Sequence, residues 1–133
     1  TMNKEIQENK QQLNVFGQEL EVCSCNPLTG WYRDGLCKFD LNDGGNHSIC
    51  CVMDDNFLKY SKSQGNDLIT PMPIYSFPGL KDGDHWCICL DRWRQALLDG
   101  LAPKVILEST NIVVLESLSL ENLKEYQFNK KSL

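Results

Sequence analysis

Apolar positions along the chain occur in short runs, separated by stretches rich in glycine, proline, asparagine and aspartate. The run 47–53, HSICCVM, is rich in β-prone residues and predicts a central strand. In the stretch 54–65, Asp54 is placed to cap a first helical turn and Gly65 to end the last, which predicts a helix of about ten residues. Strand and helix signals therefore alternate along this part of the chain.

The segment 83–100, GDHWCICLDRWRQALLDG, carries the strongest helical pattern. With Asp84 as N-cap, its apolar positions fall on one helix face: Trp86, Cys89, Leu90, Trp93, Ala96 and Leu97. We therefore expect a helix over 84–99. In such a helix Cys87 lies off the apolar face, near free N–H groups that favour a thiolate, whereas Cys89 is a small buried core residue.

The remaining segments are shorter or irregular. Residues 66–83 contain three prolines and no helical or strand period, yet their apolar side chains would be costly to leave in water, so we expect this segment to lie packed across the fold. Residues 102–110 read as a strand entered from a proline, 112–116 as a strand or a short helix, and 119–128 as a helix capped by Ser119. Together these elements predict a compact α+β domain with a small mixed or antiparallel sheet, about three short helices and long loops.

Length and charge narrow the class of protein. A chain of 133 residues matches one domain, with a disordered polar leader at 1–12, the domain at 13–128 and a tail at 129–133. The net charge of -5 argues against nucleic-acid binding. No apolar run is long enough for a signal peptide or a membrane span, so we expect a cytoplasmic protein with no membrane partner. Its seven cysteines are then expected to be reduced thiols.

Two stretches also resemble a known family. They are VFGQELEVCSCNPLTGWYRDGLC at 15–37 and GNDLITPMPIYSFPGLKDGDHWCICLDRW at 65–93, and the sequence resembles domain of unknown function 2237 from about residue 14 to residue 126. The matching positions are Cys23, Gly30, Arg33, Asp34, Cys37, His47, Cys50, Asn66, Asp67, Pro78, Asp84, Cys87, Cys89, Arg92 and Trp93. The chain departs from the family in having Leu36 before Cys37, and in its additional Cys25 and Cys51. The resemblance implies no known activity.

One hypothesis for the function uses the cysteines. Cys23, Cys37, Cys50 and Cys87 together with His47 would supply enough soft ligands for tetrahedral zinc, although the sequence lacks the paired C-x-x-C spacing that zinc sites often have. Buried free thiols are the alternative to a metal. Cys87 is also a candidate nucleophile, with a base that would have to come from elsewhere in the chain.

A second hypothesis uses polar residues that lie in turn-rich segments beside aromatic ones. They are Arg33, Asp34, Asn66, Asp67 and Thr70, next to Trp31. Such a set predicts a pocket for a small molecule or a protein, and the alternative is that these residues make turn and capping hydrogen bonds. Phosphate-loop, dinucleotide and hydrolase motifs are missing from the sequence, so no nucleotide cofactor is expected. A binding module is the preferred interpretation, with a thiol or metal protein, or an enzyme of unrecognised type, as alternatives.

Overall fold

The computed structural model describes residues 12–129. Within this range the chain forms a three-stranded antiparallel sheet of order β2-β1-β3, with β1 at His47–Val52, β2 at His85–Cys89 and β3 at Lys104–Val105. Three α-helices accompany it: α1 at Asp55–Ser63, α2 at Leu90–Leu98 and α3 at Leu120–Glu125. Short 3-10 helices cover Pro73–Tyr75, Leu107–Ser109 and Ile112–Glu116. The predicted α+β class is confirmed.

Elements with local signals form where the sequence predicts them. The Asp54 carboxylate accepts a hydrogen bond from the N–H of Phe57 at the start of α1, and the Ser119 hydroxyl accepts one from the N–H of Asn122 at the start of α3. Both are side-chain caps of a first helical turn. Ile112–Glu116, predicted as a strand or a short helix, forms a 3-10 helix. The predicted leader and tail lie almost entirely outside the described residues.

The predicted helix over 84–99 is wrong in its first part. Residues His85–Cys89 form strand β2, and helix α2 begins only at Leu90. Asp84 does not cap a helix, because its carboxylate accepts a hydrogen bond from the N–H of Lys81 instead. The apolar run in this segment is continuous because both faces of β2 are covered, and a strand buried on both faces loses the alternation that would mark it.

The sheet separates two sets of buried residues. Ile49, Cys51, Trp86 and Ile88 join the main core with residues from the helices. Cys50 and Cys87 belong to a second, smaller cluster with Cys23 and Cys37. Since neighbouring residues of a strand point to opposite faces, the vicinal pair Cys50–Cys51 is divided between the two clusters. The second face is buried as well, because the segment before β1 lies on it.

The segment 66–83, hereafter the strap, connects α1 to β2. Leu80 is buried, and Leu68 and Phe77 pack against the main core. Ile69, Met72, Ile74 and Tyr75 stay exposed, so the expectation of a packed segment is met by only part of its apolar residues. The exposed ones lie near the 3-10 helix Pro73–Tyr75, at the far end of the strap.

No helix among the described residues is both long and apolar enough to cross a membrane. The cytoplasmic location stays a prediction.

Candidate functional site: a groove beside the edge strand

The second cluster consists of two disulfides. Cys23 is bonded to Cys50 and Cys37 to Cys87, with Cα–Cα distances of 5.7 and 5.4 Å. Cys50 and Cys87 are direct cross-strand partners of β1 and β2, so each strand is tied to the segment that precedes β1. The expectation of reduced thiols is therefore wrong for four of the seven cysteines, and Cys25, Cys51 and Cys89 remain free.

The structure brings together the four cysteines proposed as metal ligands, but it bonds them to one another. The sulfur atoms of Cys23, Cys37 and Cys87 lie within 4.8 Å of one another. A metal needs thiolates as ligands, and a disulfide sulfur carries no such charge. His47 does not belong to this group of sulfur atoms, so the five proposed ligands do not converge.

Two threonines satisfy the backbone beside the disulfides. The buried Thr29 hydroxyl accepts a hydrogen bond of 2.9 Å from the N–H of Cys87. The hydroxyl of the buried Thr110, which follows β3 in the chain, accepts one of 3.1 Å from the N–H of Cys50 and donates one of 2.8 Å to the carbonyl of Ile106. Buried amides at both cross-strand cysteines are thus paired, which a dry cluster requires.

A groove of about 520 Å³ lies at the outer edge of β2, between the loop 26–37 and the strap. Strand β2 lines it with four consecutive residues, 86–89. Its other lining residues are Gly30, Trp31, Arg33, His47, Asn66, Asp67, Leu68, Met72, Tyr75, Phe77 and Arg92. The volume is typical of a site for a small organic molecule.

Four of the six residues predicted from the sequence as a loop site line this groove: Trp31, Arg33, Asn66 and Asp67. Asp34 and Thr70 do not line it. The Asp34 carboxylate accepts from the N–H of Leu36 and pairs with Lys38 at 2.8 Å, and the Thr70 hydroxyl donates to Asp67. These two therefore have roles in their own turns.

Arg33 joins the two walls of the groove. Its guanidinium donates to the carbonyls of Gly30, Tyr75 and Ser76, at 2.6, 2.8 and 3.3 Å, and lies 5.1 Å from the ring centroid of Trp86. The first carbonyl belongs to the loop 26–37 and the other two to the strap. Partial burial lowers the pKa of Arg33 from its ordinary value, but an arginine stays protonated at neutral pH. Its contacts show that it holds the strap in place.

The Asp67 carboxylate is hydrogen-bonded within its own turn. Its carboxylate accepts from the hydroxyl and the N–H of Thr70 and from the N–H of Ile69. These hydrogen bonds, the Thr70 hydroxyl above all, lower the pKa of Asp67 to about 2. Asp67 therefore carries a negative charge at the rim of the groove, and that charge is satisfied by the protein.

Arg92 and Asn66 have donors left over. Nη1 of Arg92 donates to the carbonyl of Gln64 and to Oε1 of Gln95, at 3.0 and 3.4 Å. Its Nε and Nη2 have no hydrogen-bond partner among residues 12–129, and the same holds for the side-chain amide of Asn66. Two polar side chains, of which Arg92 is held by its own hydrogen bonds, thus offer N–H donors to the groove.

The sequence interpretation missed two kinds of lining residue. Arg92 and Cys89 were assigned to the predicted helix 84–99, Cys89 as a buried core residue, although it is half-buried and lines the groove. No sequence signal pointed to Met72 and Tyr75, because their apolar side chains were interpreted as evidence that the strap packs on the fold, whereas the structure leaves both exposed.

The comparisons agree with the resemblance noted from the sequence. The family model described as "Uncharacterized protein conserved in bacteria (DUF2237)" matches residues 13–127. None of the curated proteins compared with the chain matches it.

Proposed function

Because the chain belongs to the uncharacterised bacterial family DUF2237, whose description assigns no activity, we propose its function from the groove itself: the protein binds a small organic anion with an apolar body, such as an aryl or alkyl carboxylate. The observation that carries this proposal is that one groove contains both exposed aromatic side chains and N–H donors, on Arg92 and Asn66, that have no protein partner in the described part of the chain.

The charge of the groove supports an anion. Its cationic side chains are Arg33 and Arg92, and its one acidic residue, Asp67, is satisfied by Thr70 and Ile69. Arg92 is held by Gln64 and Gln95, so little side-chain freedom has to be lost when its free edge binds a carboxylate. A guanidinium with Nε and Nη2 free presents the two parallel donors that suit a carboxylate.

The walls support an apolar body. Trp31, Tyr75 and Met72 line the groove and are 43%, 66% and 44% exposed. The buried Trp86 and the half-buried Phe77 also line it, with their rings 5.3 Å apart. Aromatic and thioether side chains at such a site stack on flat ligands. The volume of about 520 Å³ suits a small molecule better than a folded protein surface.

A panel of benzoate, phenylacetate and hexanoate, each with its neutral amide, tests this function. We expect the carboxylates to shift the NMR signals of the Asn66 side-chain amide and the Arg92 Nε–H, and the amides to bind more weakly. Arg92→Gln should lower carboxylate affinity by about 10-fold or more, because a hydrogen bond to a charged group contributes about 1.5–3 kcal/mol.

Arg94→Gln is the matched control. Arg94 lies on the same helix, pairs with Asp91 at 3.7 Å and does not line the groove, so its loss should leave affinity unchanged. Equal losses for the two arginine variants would show that only the net charge matters. Equal binding of carboxylates and amides would contradict the assignment of the anion.

A further inference from the structure

A partly exposed thiol lies in the groove opposite an imidazole. Cys89 is the last residue of β2, is not bonded to another cysteine and is half-buried. Its cross-strand partner is His47, the first residue of β1, and both line the groove. The two residues are paired across the strands at the bulge, so the thiol and the imidazole belong to the same part of the groove lining.

A bulge in the sheet aims His47 toward this position. The register shifts between His47 and Ile49, so the strict alternation of faces breaks there. Ile49 points into the main core, while His47 lies opposite Cys89 in the groove. Bulges commonly redirect a side chain beside a functional site.

A buried carboxylate orients the imidazole. Oδ1 of Asp43 lies 2.8 Å from Nδ1 of His47, and Asp43 also accepts from the N–H groups of Gly45 and His47 at 3.2 and 2.9 Å. The Asp43 side chain is 1% exposed, whereas that of His47 is 39% exposed. Since Nδ1 donates to the carboxylate, Nε2 of the neutral ring is left as a base, and it has no protein partner among the described residues.

The helix that follows supplies a positive environment. Cys89 is the N-cap residue of α2, and no side chain caps the first turn of this nine-residue helix. The N-terminal end of a helix favours negative charge and offers N–H groups; here the N–H of Leu90 already donates to the carbonyl of Asn46, and Asp91 adds an acidic side chain to the same turn. Arg92, in the same turn, adds its unpaired donors. An oxyanion formed beside Cys89 would be stabilised at this position.

We propose that Cys89 is a nucleophile, that His47 is its general base with Asp43 as positioning residue, and that the groove hydrolyses small acyl esters or thioesters whose acyl part is apolar. This inference rests on the proposed binding function for the capture of its substrate. The constellation of thiol, imidazole and carboxylate is the one that activates cysteine nucleophiles on unrelated folds.

The reaction consists of two acyl transfers. Nε2 of His47 takes the proton of Sγ while Sγ bonds to the carbonyl carbon, and the oxyanion that forms lies beside the first turn of α2. The carbonyl then reforms, the bond to the leaving oxygen or sulfur breaks, and the leaving group takes the proton from His47. Water then attacks the resulting thioester while His47 takes one of its protons. The C–S bond breaks, Sγ takes that proton from His47, and the product leaves as a carboxylate whose proton passes to solvent.

Alkylation of the oxidised full-length protein tests the nucleophile. Iodoacetamide should modify Cys89 about 10-fold faster than Cys25, although Cys25 is exposed and Cys89 only half-exposed. Cys51 should react slowest, because burial, together with the charge of Asp54, raises the pKa of its thiol. Peptide mass spectrometry assigns each rate. His47→Gln should bring Cys89 to or below the rate of Cys25.

A p-nitrophenyl butyrate assay tests the catalysis. We expect a burst of about one p-nitrophenolate per chain, with the butyryl adduct on Cys89 in acid-quenched samples. His47→Gln should slow acylation by about 100-fold, and Cys89→Ala should abolish the adduct. Cys25→Ala is the control and should leave both signals unchanged.

Two further variants separate positioning from folding. A Cβ added at Gly45 would lie 2.6 Å from Cε1 of His47, so Gly45→Ala displaces the ring and should slow acylation with the imidazole still present. Asp43→Asn should alter the pH profile of acylation as well as its rate, which a merely structural role would not do. Near-ultraviolet circular dichroism shows whether each variant is folded.

The inference is overturned if Cys89 reacts no faster than Cys25, or if folded His47→Gln acylates at the wild-type rate. Carboxylate binding that persists alongside either result would leave the proposed binding function intact. If the wild-type protein binds none of the carboxylates but still shows a burst that depends on His47, the proposed binding function is wrong and the assignment of Cys89 as nucleophile stands.

Discussion

Removing one of the two disulfides should destabilise the protein by an amount that depends on the length of the loop that the bond closes. The bonds Cys23–Cys50 and Cys37–Cys87 span sequence separations of 27 and 50 residues. A cross-link over such loops lowers the entropy of the unfolded chain by an amount worth about 3.5 and about 4 kcal/mol respectively at 25 °C. The perturbation is the double variant Cys37→Ala/Cys87→Ala, compared with Cys23→Ala/Cys50→Ala.

The two losses should not add when both bonds are removed. The loops 23–50 and 37–87 overlap along the chain, so the first cross-link already shortens the free chain that the second must close. We expect the fully reduced protein to lose less than about 7.5 kcal/mol, which is still comparable with the whole stability of an ordinary domain. Each single-bond variant should melt about 10–20 °C below the wild type.

Guanidinium unfolding followed by tryptophan fluorescence measures these losses, because Trp93 and Trp86 are buried in the folded protein. Cys25→Ala removes an exposed free thiol and is the matched control, with an expected change within about 0.5 kcal/mol. Mass spectrometry after alkylation of unreduced, denatured protein should find adducts only on Cys25, Cys51 and Cys89.

Three results would refute this reasoning. Alkylation of all seven cysteines without reductant would show that the bonds are not formed. Near-stoichiometric zinc in protein purified without chelator would show that thiolates hold a metal instead. A stability of Cys37→Ala/Cys87→Ala within about 0.5 kcal/mol of the wild type would show that the cross-link does not constrain the unfolded chain as assumed.

Three further predictions test other parts of the structure. Thr110→Val leaves the buried N–H of Cys50 without its acceptor and should cost about 1–3 kcal/mol in urea unfolding, whereas Thr110→Ser keeps the hydroxyl and should cost less. The pKa of Asp67 is lowered to about 2 from 3.8, so the folded state binds this proton less readily than the unfolded state. The free energy of unfolding should therefore fall as the pH drops from about 4 to about 2. In thermal melts over this pH range, Asp67→Asn should lack this part of the decline. Gly79→Ala should make the strap more susceptible to limited proteolysis, because the added Cβ would lie 2.4 Å from a backbone oxygen at a residue whose φ is +78°. Gly65→Ala is the control: its φ is +92°, but no atom lies within 4 Å of the added Cβ, so it has only the conformational cost.

Local chemistry accounts for the parts of the fold that the sequence predicts correctly. The caps at Asp54 and Ser119 depend on residues three positions away, so their signals lie within a few letters of sequence. Strand β2 depends instead on pairing with β1 across a separation of more than thirty residues. Trp86 and Cys89 fit one helix face together with the residues of α2 that follow, and only the partner strand decides between the two structures.

The candidate site was predictable to a similar extent. Turn-rich polar segments beside aromatic residues pointed to Trp31, Arg33, Asn66 and Asp67, which line one groove. The four cysteines Cys23, Cys37, Cys50 and Cys87 were grouped correctly in space, but their chemistry was wrong, because the expectation of reduced thiols came from a presumed compartment rather than from the residues. The contact between His47 and Asp43 depends on a turn, which the sequence Asp43-Gly44-Gly45-Asn46 does signal, and on a bulge, which it does not.

The motif Cys87-Ile88-Cys89 owes its two roles to where each cysteine lies along β2. In a strand, residues two apart share a face, so face alone does not separate them. Cys87 lies opposite Cys50 where the segment before β1 covers the sheet, and it is 1% exposed and bonded to Cys37. Cys89 lies where the strand ends, the bulge begins and helix α2 starts, and it is open to the groove. Because the bond from Cys87 also anchors the loop that carries Trp31, reduction of this disulfide should release one wall of the groove in which Cys89 lies. Reactivity of Cys89 is therefore expected to depend on the oxidised state of its neighbour.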